Sequence, residues 1–459
     1  MSGGQPWTGR RLHLIGVGGA GMSAYALAAH ALGAQVSGSD RAESAYSRRL
    51  RQRGILDASI GHDRANVPAR ADIEVVYSSA VPAENPERVE ARERGLRELS
   101  RGQLLGEISA LRRTIAVAGA HGKTTTASMI VHALRGAGCD PSYLVGGVVG
   151  STQSNAGWGS GEWLVIEADE SDRSMLALSV EIAVVTNVEL DHHATFGSLT
   201  ELRDTFRRFL ARPACAVLWD RAEVVALRQG PTVAYDLDSG VRLSADGSRF
   251  RWKGQEVRLP VPGAHNALNA VGALEACLVA GADAERTVTA LADFRGAGRR
   301  FERVGRTHAG AEVYDDYAHH PTEISATVAA ARTLDPGRVV VVFQPHLYSR
   351  TATLHRQFGE ALAGADVVIV LDVYPARERA EDFPGVDGRL VARATADRAG
   401  GRPVYWLPRF QDALGVLDGL LRGGDLCLVL GAGDVDGFSR TLVGDADGRG
   451  RADPGKGVP

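Results

Sequence analysis

Lysine is nearly missing from this chain of 459 residues: of 52 basic side chains only Lys123, Lys253 and Lys456 are lysines. Arginine serves wherever a generic positive charge will do, so a lysine inside a glycine–threonine run is a marked choice. Cysteine is scarce too. Cys139, Cys215, Cys277 and Cys427 are scattered, with no Cys-x-x-Cys pair, which excludes a disulfide framework and a thiolate metal site. They read as small buried apolar residues in a reducing compartment. No apolar run approaches the roughly 18 residues that span a bilayer, and the N-terminal stretch lacks the apolar core and cleavage site of a signal peptide. Excess positive charge is also absent: a net charge of −3 provides no general polyanion surface, so nucleic acid is not an expected partner. The expectation is a cytoplasmic protein without membrane insertion.

What is present is a globular composition, 44% apolar and 23% charged, at a length that suggests about three domains. Short apolar runs at 12–17, 34–37 and 73–78 alternate with helical patterns at 23–32 and 86–95, the layout of a doubly wound α/β domain. An Arg-rich helix and connector, 92–113, precedes a new strand at 114–118. Strands at 163–166 and 182–186 follow. Turn signals across 232–261 then predict a small antiparallel sheet. A third α/β unit has strands at 339–343, 366–371, 403–407 and 426–430. The expected domains are 1–106, 107–303 and 304–443, with a disordered tail at 444–459.

The strongest chemical signal is the run from Thr114 to Thr126, TIAVAGAHGKTTT. An apolar strand feeds a glycine loop that opens a helix, so backbone N–H groups and the helix N-terminus face an anion. Gly119, Ala120, His121, Gly122, Lys123, Thr124 and Thr125 form this phosphate cradle. Lys123 is placed to bridge the β- and γ-phosphates, and the Thr124 hydroxyl to ligate Mg²⁺. The spacing is the shorter Gly-x-x-Gly-Lys-Thr, with Val117 where the general pattern has glycine. A second glycine loop, Gly16-Val-Gly18-Gly19-Ala-Gly21, follows the first strand, with Asp40 beyond the next. Alone it suits a nicotinamide dinucleotide or a UDP-type ligand equally, because it reports only that a diphosphate can approach a helix N-terminus. Acidic clusters follow two strands: Glu167-Ala-Asp169-Glu170-Ser-Asp172, and Asn187-Val-Glu189-Leu-Asp191-His192-His193. Carboxylates and an imidazole beside a phosphate loop suit Mg²⁺–ATP. Asn266 and Asn269, three apart at a helix start, can share a face toward a base or ribose. Further on stand Gly298-Arg299-Arg300-Phe301, Asp315-Asp316-Tyr-Ala-His319-His320-Pro321 and Phe343-Gln-Pro-His346-Leu-Tyr-Ser-Arg350-Thr351, where arginine suits phosphate or carboxylate.

Taken in this order, from Gly16 through Gly431-Ala-Gly-Asp434, these segments resemble the Mur ligases of peptidoglycan synthesis. The resemblance implies an α/β protein of three domains: a Rossmann-like N-terminal one for a UDP-sugar, a central P-loop ATPase, and a Rossmann-like C-terminal one that closes over the site. It implies ATP-dependent ligation of L-alanine to the lactyl carboxylate of UDP-N-acetylmuramate through an acyl phosphate. A recycling ligase that joins a peptide to the same sugar nucleotide is the alternative. It further implies Mg²⁺ on Thr124, Glu167 and His192, with His193 making that last choice ambiguous by one residue. Lys123, Glu167, His192, Arg300 and Asp316 would be catalytic. ATP contacts would come from Asn266, Asn269, Arg300 and Asp316 besides the loop. Gly16, Gly18, Gly19, Gly21, Met22, Ser39, His62 and Ser79 would hold the UDP-sugar, and His319, His346 and Arg350 the amino acid. Leu347 stands where some relatives place Arg. A monomer or weak homodimer is expected, with small-molecule substrates as the only partners.

Overall fold

The computed structural model describes residues 5–191 and 195–444. These divide into two compact units, one built mainly from the chain before Arg299 and the other mainly from Arg299 onward.

The first unit opens with a parallel sheet of β1 (Arg11–Ile15), β2 (Gln35–Asp40), β3 (Ser59–Ile60), β4 (Ile73–Tyr77) and β5 (Arg97–Ser100), in spatial order β3-β2-β1-β4-β5. The central β1 buries Leu12, Leu14 and Ile15 completely, as a strand covered on both faces must. Helix Ala20–Ala31 is apolar nearly all round because it packs against β2 and also against the later strands at Ser142–Val149 and Ser154–Gly157. The Arg-rich segment expected as helix and connector, 92–113, holds the last two residues of helix Pro86–Glu93 and then two whole elements of this fold. The first of these is the edge strand β5. The second is helix Arg101–Ser109, begun by a reciprocal Ser100–Gln103 capping box. The expected boundary at 106/107 lies inside that helix.

A second sheet follows: β6 (Arg113–Ala118), β7 (Ser142–Val149), β8 (Ser154–Gly157), β9 (Trp163–Glu167), β10 (Ile182–Val185), β11 (Cys215–Trp219) and β12 (Thr232–Tyr235), ordered β12-β11-β10-β6-β9-β7-β8. All neighbours are parallel except β7 and β8. The antiparallel region expected from residue 232 starts later. β12 extends the parallel sheet because Tyr235, buried against Gly272 of helix Ala264–Val279, needs that packing. After β13 (Arg242–Ser244), β14 (Gly247–Trp252) and β15 (Gln255–Leu259) pair antiparallel.

The second unit is a six-stranded sheet of β16 (Glu302–Arg306), β17 (Glu312–Asp316), β18 (Arg338–Phe343), β19 (Val367–Val370), β20 (Val404–Trp406) and β21 (Asp425–Leu430), ordered β16-β17-β21-β18-β19-β20. Only β16 runs antiparallel to its neighbour. The expected boundary at 303/304 falls inside β16. The unit begins at Arg299 because the Tyr317 N–H bonds to the Arg299 carbonyl and the Phe301 N–H to Asp316 Oδ2. The tail expected to be disordered lies, beyond Gly444, outside the described residues. Among the described residues no helix is long and apolar enough to cross a membrane.

Candidate active site

Both acidic clusters are brought to the phosphate loop by strand order. β9 and β10 flank β6, so the turns after Glu167 and after Val185 sit on either side of the loop that leaves Ala118. Gly119 (φ +132°) and Gly122 (φ +81°) adopt left-handed conformations, open to glycine at little cost. A side chain at 119 would also run into Thr186 Oγ1 and the Asn187 carbonyl. Asn187 clamps the loop from both sides: its Oδ1 accepts from the His121 N–H at 3.0 Å and its Nδ2 donates to the His121 carbonyl at 3.0 Å. Thr186 Oγ1 donates to the same carbonyl. Thr186 and Asn187 were not singled out as loop supports, since nothing local in the sequence ties them to residue 121.

Helix Lys123–Gly136 begins directly at the lysine. Lys123 Nζ lies 3.0 and 3.1 Å from the two oxygens of Glu170 and donates to the Gly119 carbonyl at 2.5 Å. Burial pushes its pKa down, but the charges of Glu170 and Asp169 more than offset this and hold it above the ordinary lysine value. It is a fixed cation at the centre of the loop. Glu167 ends β9 and accepts from the Gly146 N–H at 2.6 Å. The consecutive glycines of β7 keep the ground between Glu167 and Thr124 clear: a Cβ at Gly146 would lie 3.1 Å from Glu167 Oε1, and one at Gly147 would lie 3.0 Å from Thr124 Cγ2. A hydroxyl and a carboxylate over a side-chain-free strip are hard oxygen donors of the kind Mg²⁺ takes. His192 and His193, the other metal candidates, lie outside the described residues.

Asn266 and Asn269 share the buried start of helix Ala264–Val279, and the Asn269 amide backs onto the loop, 2.7 Å from where a Cβ of Gly122 would stand. On the other flank, Arg101 donates to Asp169 at 2.5 Å and to Asp172 at 2.9 Å. Burial alone would raise the Asp169 pKa, but Arg101 and Lys123 hold it well below the usual carboxylate range. Arg101, hidden in the supposed connector, is a site residue that sequence reasoning missed.

The glycine loop of the first sheet turns at Gly16 (φ +84°). The N–H groups of Gly16 and Val17 bond to the Ser39 carbonyl at 2.8 and 3.0 Å. Gly19 precedes helix Ala20–Ala31 without a side-chain cap, so Gly21 and the buried Met22 open its first turn. Asp40 accepts the Gly18 N–H at 2.8 Å: the acid that a nicotinamide ribose would require is turned onto the loop itself. Ser79 is exposed beyond the end of β4. His62 and Ser39 converge on Glu87, a buried carboxylate not anticipated from the sequence. Burial raises its pKa, but hydrogen bonds from His13, Ser39 and His62 leave it below the ordinary value.

In the second unit, Arg299 (φ +57°) and Phe301 (φ +51°) flank Arg300 in left-handed conformations unusual for such residues. This twist sets Arg300 3.6 Å from Glu323 and both arginines over the Tyr317 ring. His319 lies 6.0 Å, ring to ring, from His346, which stacks on Tyr374 at 5.7 Å and meets Arg350 at 3.1 Å. The three residues expected around an amino acid therefore form one cluster. Tyr374 was missed because it sits 28 residues beyond His346 in sequence.

Asp315 and Asp316 are both pushed up to about 6 by burial, only partly opposed by Arg299 and Arg300 respectively. Between the ordinary carboxyl value and that figure the folded chain keeps a proton that the unfolded chain has released. Their contribution to stability is thus full below about pH 4 and is lost as pH rises through about 6, on the order of 3 kcal/mol for a fully buried group. Amide exchange of β17 and β21, corrected for intrinsic rates, should show protection falling across that window. Asp316→Asn should flatten the fall, whatever it does to protection at a single pH. An unchanged slope would contradict the assignment.

Three family models match the chain in sequence: Mur ligase family, catalytic domain, over residues 11–113; Mur ligase middle domain, over 117–277; and Mur ligase, glutamate ligase domain, over 299–433. Each falls mainly on one of the three large sheets. The chain is 42% identical to a UDP-N-acetylmuramate–L-alanine ligase of Mycobacterium sp. (strain JLS), with 98% of each chain covered. It is 44% identical to the ligase of that name from Mycolicibacterium smegmatis, with 93% of each covered. Its fold superposes on the crystal structure of UDP-N-acetylmuramate-alanine ligase from Thermotoga maritima with a TM-score of 0.81 and 28% identity, covering 94% of this chain and 98% of that one. On three sheets, two glycine loops and these likenesses, the chain belongs to the Mur ligase family.

Proposed function

We infer that the protein joins L-alanine to the lactyl carboxylate of UDP-N-acetylmuramate with consumption of ATP, a step of peptidoglycan precursor synthesis. The observation that carries this reading is the identity of 42% and 44% to ligases of that name over nearly the whole chain. ATP belongs in the Lys123 loop and the sugar nucleotide at the Gly16–Gly21 loop.

The chemistry follows from the residues. The lactyl carboxylate attacks the γ-phosphorus of ATP and ADP leaves, which gives an acyl phosphate. Charge spreads over the phosphoryl oxygens in this step, and Lys123 and the loop N–H groups are fixed donors for it. Thr124 and Glu167 would hold Mg²⁺, with His192 as the proposed further ligand; bound there, the ion would neutralise phosphate charge. Asn266 and Asn269 are assigned to the nucleotide, and Arg300 and Asp316 are assigned to further contacts with ATP. The alanine amine, oriented by His319, His346 and Arg350, then attacks the acyl carbon, and phosphate departs from a tetrahedral intermediate.

Phosphate release from ATP should need both UDP-N-acetylmuramate and L-alanine, and should fall to background when either is left out. Brisk release that ignores both would defeat the ligase assignment. A preference for a tripeptide over alanine in competition would instead make this a recycling ligase.

A further inference from the structure

Three adjacent strands of the first sheet deliver side chains to one carboxylate. Glu87 lies in the first turn of helix Pro86–Glu93, its N–H bonded to Asn85 Oδ1 at 3.0 Å, and its side chain is fully buried. His13 of β1 approaches with Nε2 at 2.7 Å and Ser39 of β2 with Oγ at 2.7 Å. His62, after β3, approaches with Nδ1 at 2.9 Å, and Asn66 Nδ2 lies at 3.3 Å. An ionised carboxylate only accepts and has about four lone-pair directions. Four donors therefore saturate it, and each histidine must present a proton on the nitrogen that faces it. His13 completes this on the core side: its Nδ1 stands 2.9 Å from Ser37 Oγ. His62 differs. Its side chain is 23% exposed against 1% for His13, so it is the member of the network that a ligand can meet. Ser39 links the network to the glycine loop, because its carbonyl takes the Gly16 and Val17 N–H groups.

We propose that Glu87 is a positioning residue for the base of the sugar nucleotide: it fixes His62 as the Nδ1–H tautomer, so that Nε2 is presented as an acceptor and selects a base with a ring N–H. This rests on the assignment of the first sheet's loop end to a uridine nucleotide. Uracil carries a donor at N3, between two carbonyls. Cytosine carries a lone pair at the same atom, which a neutral Nε2 repels. Glu87 reaches the ligand only through His62 and Ser39, which is why it governs selection without itself touching the base.

The test uses the full chain with UDP and CDP as probes. Long-range ¹H–¹⁵N spectra of the histidines, in mildly alkaline buffer without nucleotide, should show His62 protonated on Nδ1. Glu87→Gln places an amide that can donate toward His62 and should shift the proton to Nε2. UDP binding should weaken about 10- to 100-fold, as expected for loss of a hydrogen bond built around a charged group, and the preference for UDP over CDP should collapse. The KM for ATP and for alanine should stay within about twofold, since the network belongs to a different sheet from the residues assigned to either. A purely structural role would lower the melting temperature but would move neither the tautomer nor the UDP/CDP ratio. Adding Glu87→Gln to His62→Ala should then cost no further selectivity. A wild-type His62 protonated on Nε2, or a folded Glu87→Gln protein that keeps its UDP/CDP ratio, overturns the proposal. Should Glu87→Gln not fold, His62→Ala decides, because retained preference for UDP overturns it as well. The two failures are distinguishable: a wild-type chain that does not bind UDP refutes the site assignment, while UDP binding by an Nε2–H His62 refutes only the role of Glu87.

Discussion

Replacing Lys123 by alanine should lower kcat at least about a thousandfold, some 4 kcal/mol of transition-state stabilisation. The reason is geometric. Lys123 is the cation placed between the loop carbonyls of Gly119 and Ala120 and the buried Glu170, where water cannot substitute for it. The same burial means that the variant removes one partner of an ion pair, at a cost of about 3 kcal/mol in stability. Lost turnover must therefore be separated from lost fold. The sugar nucleotide provides that control, because its proposed loop lies on a different sheet. Titration calorimetry should find UDP-N-acetylmuramate bound about as tightly as before. Combining Lys123→Ala with Glu170→Gln should restore part of the melting temperature and none of the turnover. Substantial turnover by either variant would remove Lys123 from the mechanism.

Glu167→Gln is the second large effect: kcat about a hundredfold lower, with the Mg²⁺ concentration for half-maximal rate raised by about tenfold or more. The amide oxygen can still accept from the Gly146 N–H, so the strand should hold its place and the melting temperature should change little. What is lost is the negative charge beside Thr124. A magnesium titration of initial rate separates the outcomes. A fall in kcat with an unmoved magnesium dependence would make Glu167 a support of β7 and not a metal ligand.

The Gly119–Thr125 loop was readable because a phosphate cradle demands local features: an apolar strand, glycines and a lone lysine within 13 residues. The large parallel strands were readable for the same reason, since burial on both faces writes continuous valine, isoleucine and leucine. What escaped was non-local or masked. β7 carries Gly146-Gly147 in its middle, which breaks any strand pattern, yet those glycines keep the strip between Thr124 and Glu167 clear. β17 reads as polar because it ends in Asp315-Asp316, although both aspartates are buried. Glu87 looked like one more charge in an Arg/Glu-rich helix. Only the order β3-β2-β1-β4 brings His13, Ser39 and His62 to it. Arg101 was lost in a run of arginines whose abundance hid the one that matters.

Helix Arg101–Ser109 bears on modularity. Its two glycines lie against another part of the chain: a Cβ at Gly102 would sit 2.6 Å from that of Ser174, and one at Gly106 2.8 Å from the Ala177 carbonyl. Ser109 accepts through its carbonyl from Thr114 Oγ1 and through Oγ from the Ser179 N–H. What reads in sequence as a tether between two cassettes is a seam closed along its whole length. A fragment ended at residue 106 would carry half of that seam into water, with an apolar face and severed hydrogen bonds. The first sheet should therefore express poorly by itself. Shuffling it between relatives should succeed only when the chain from 101 to 109 travels with its partner at 174–179.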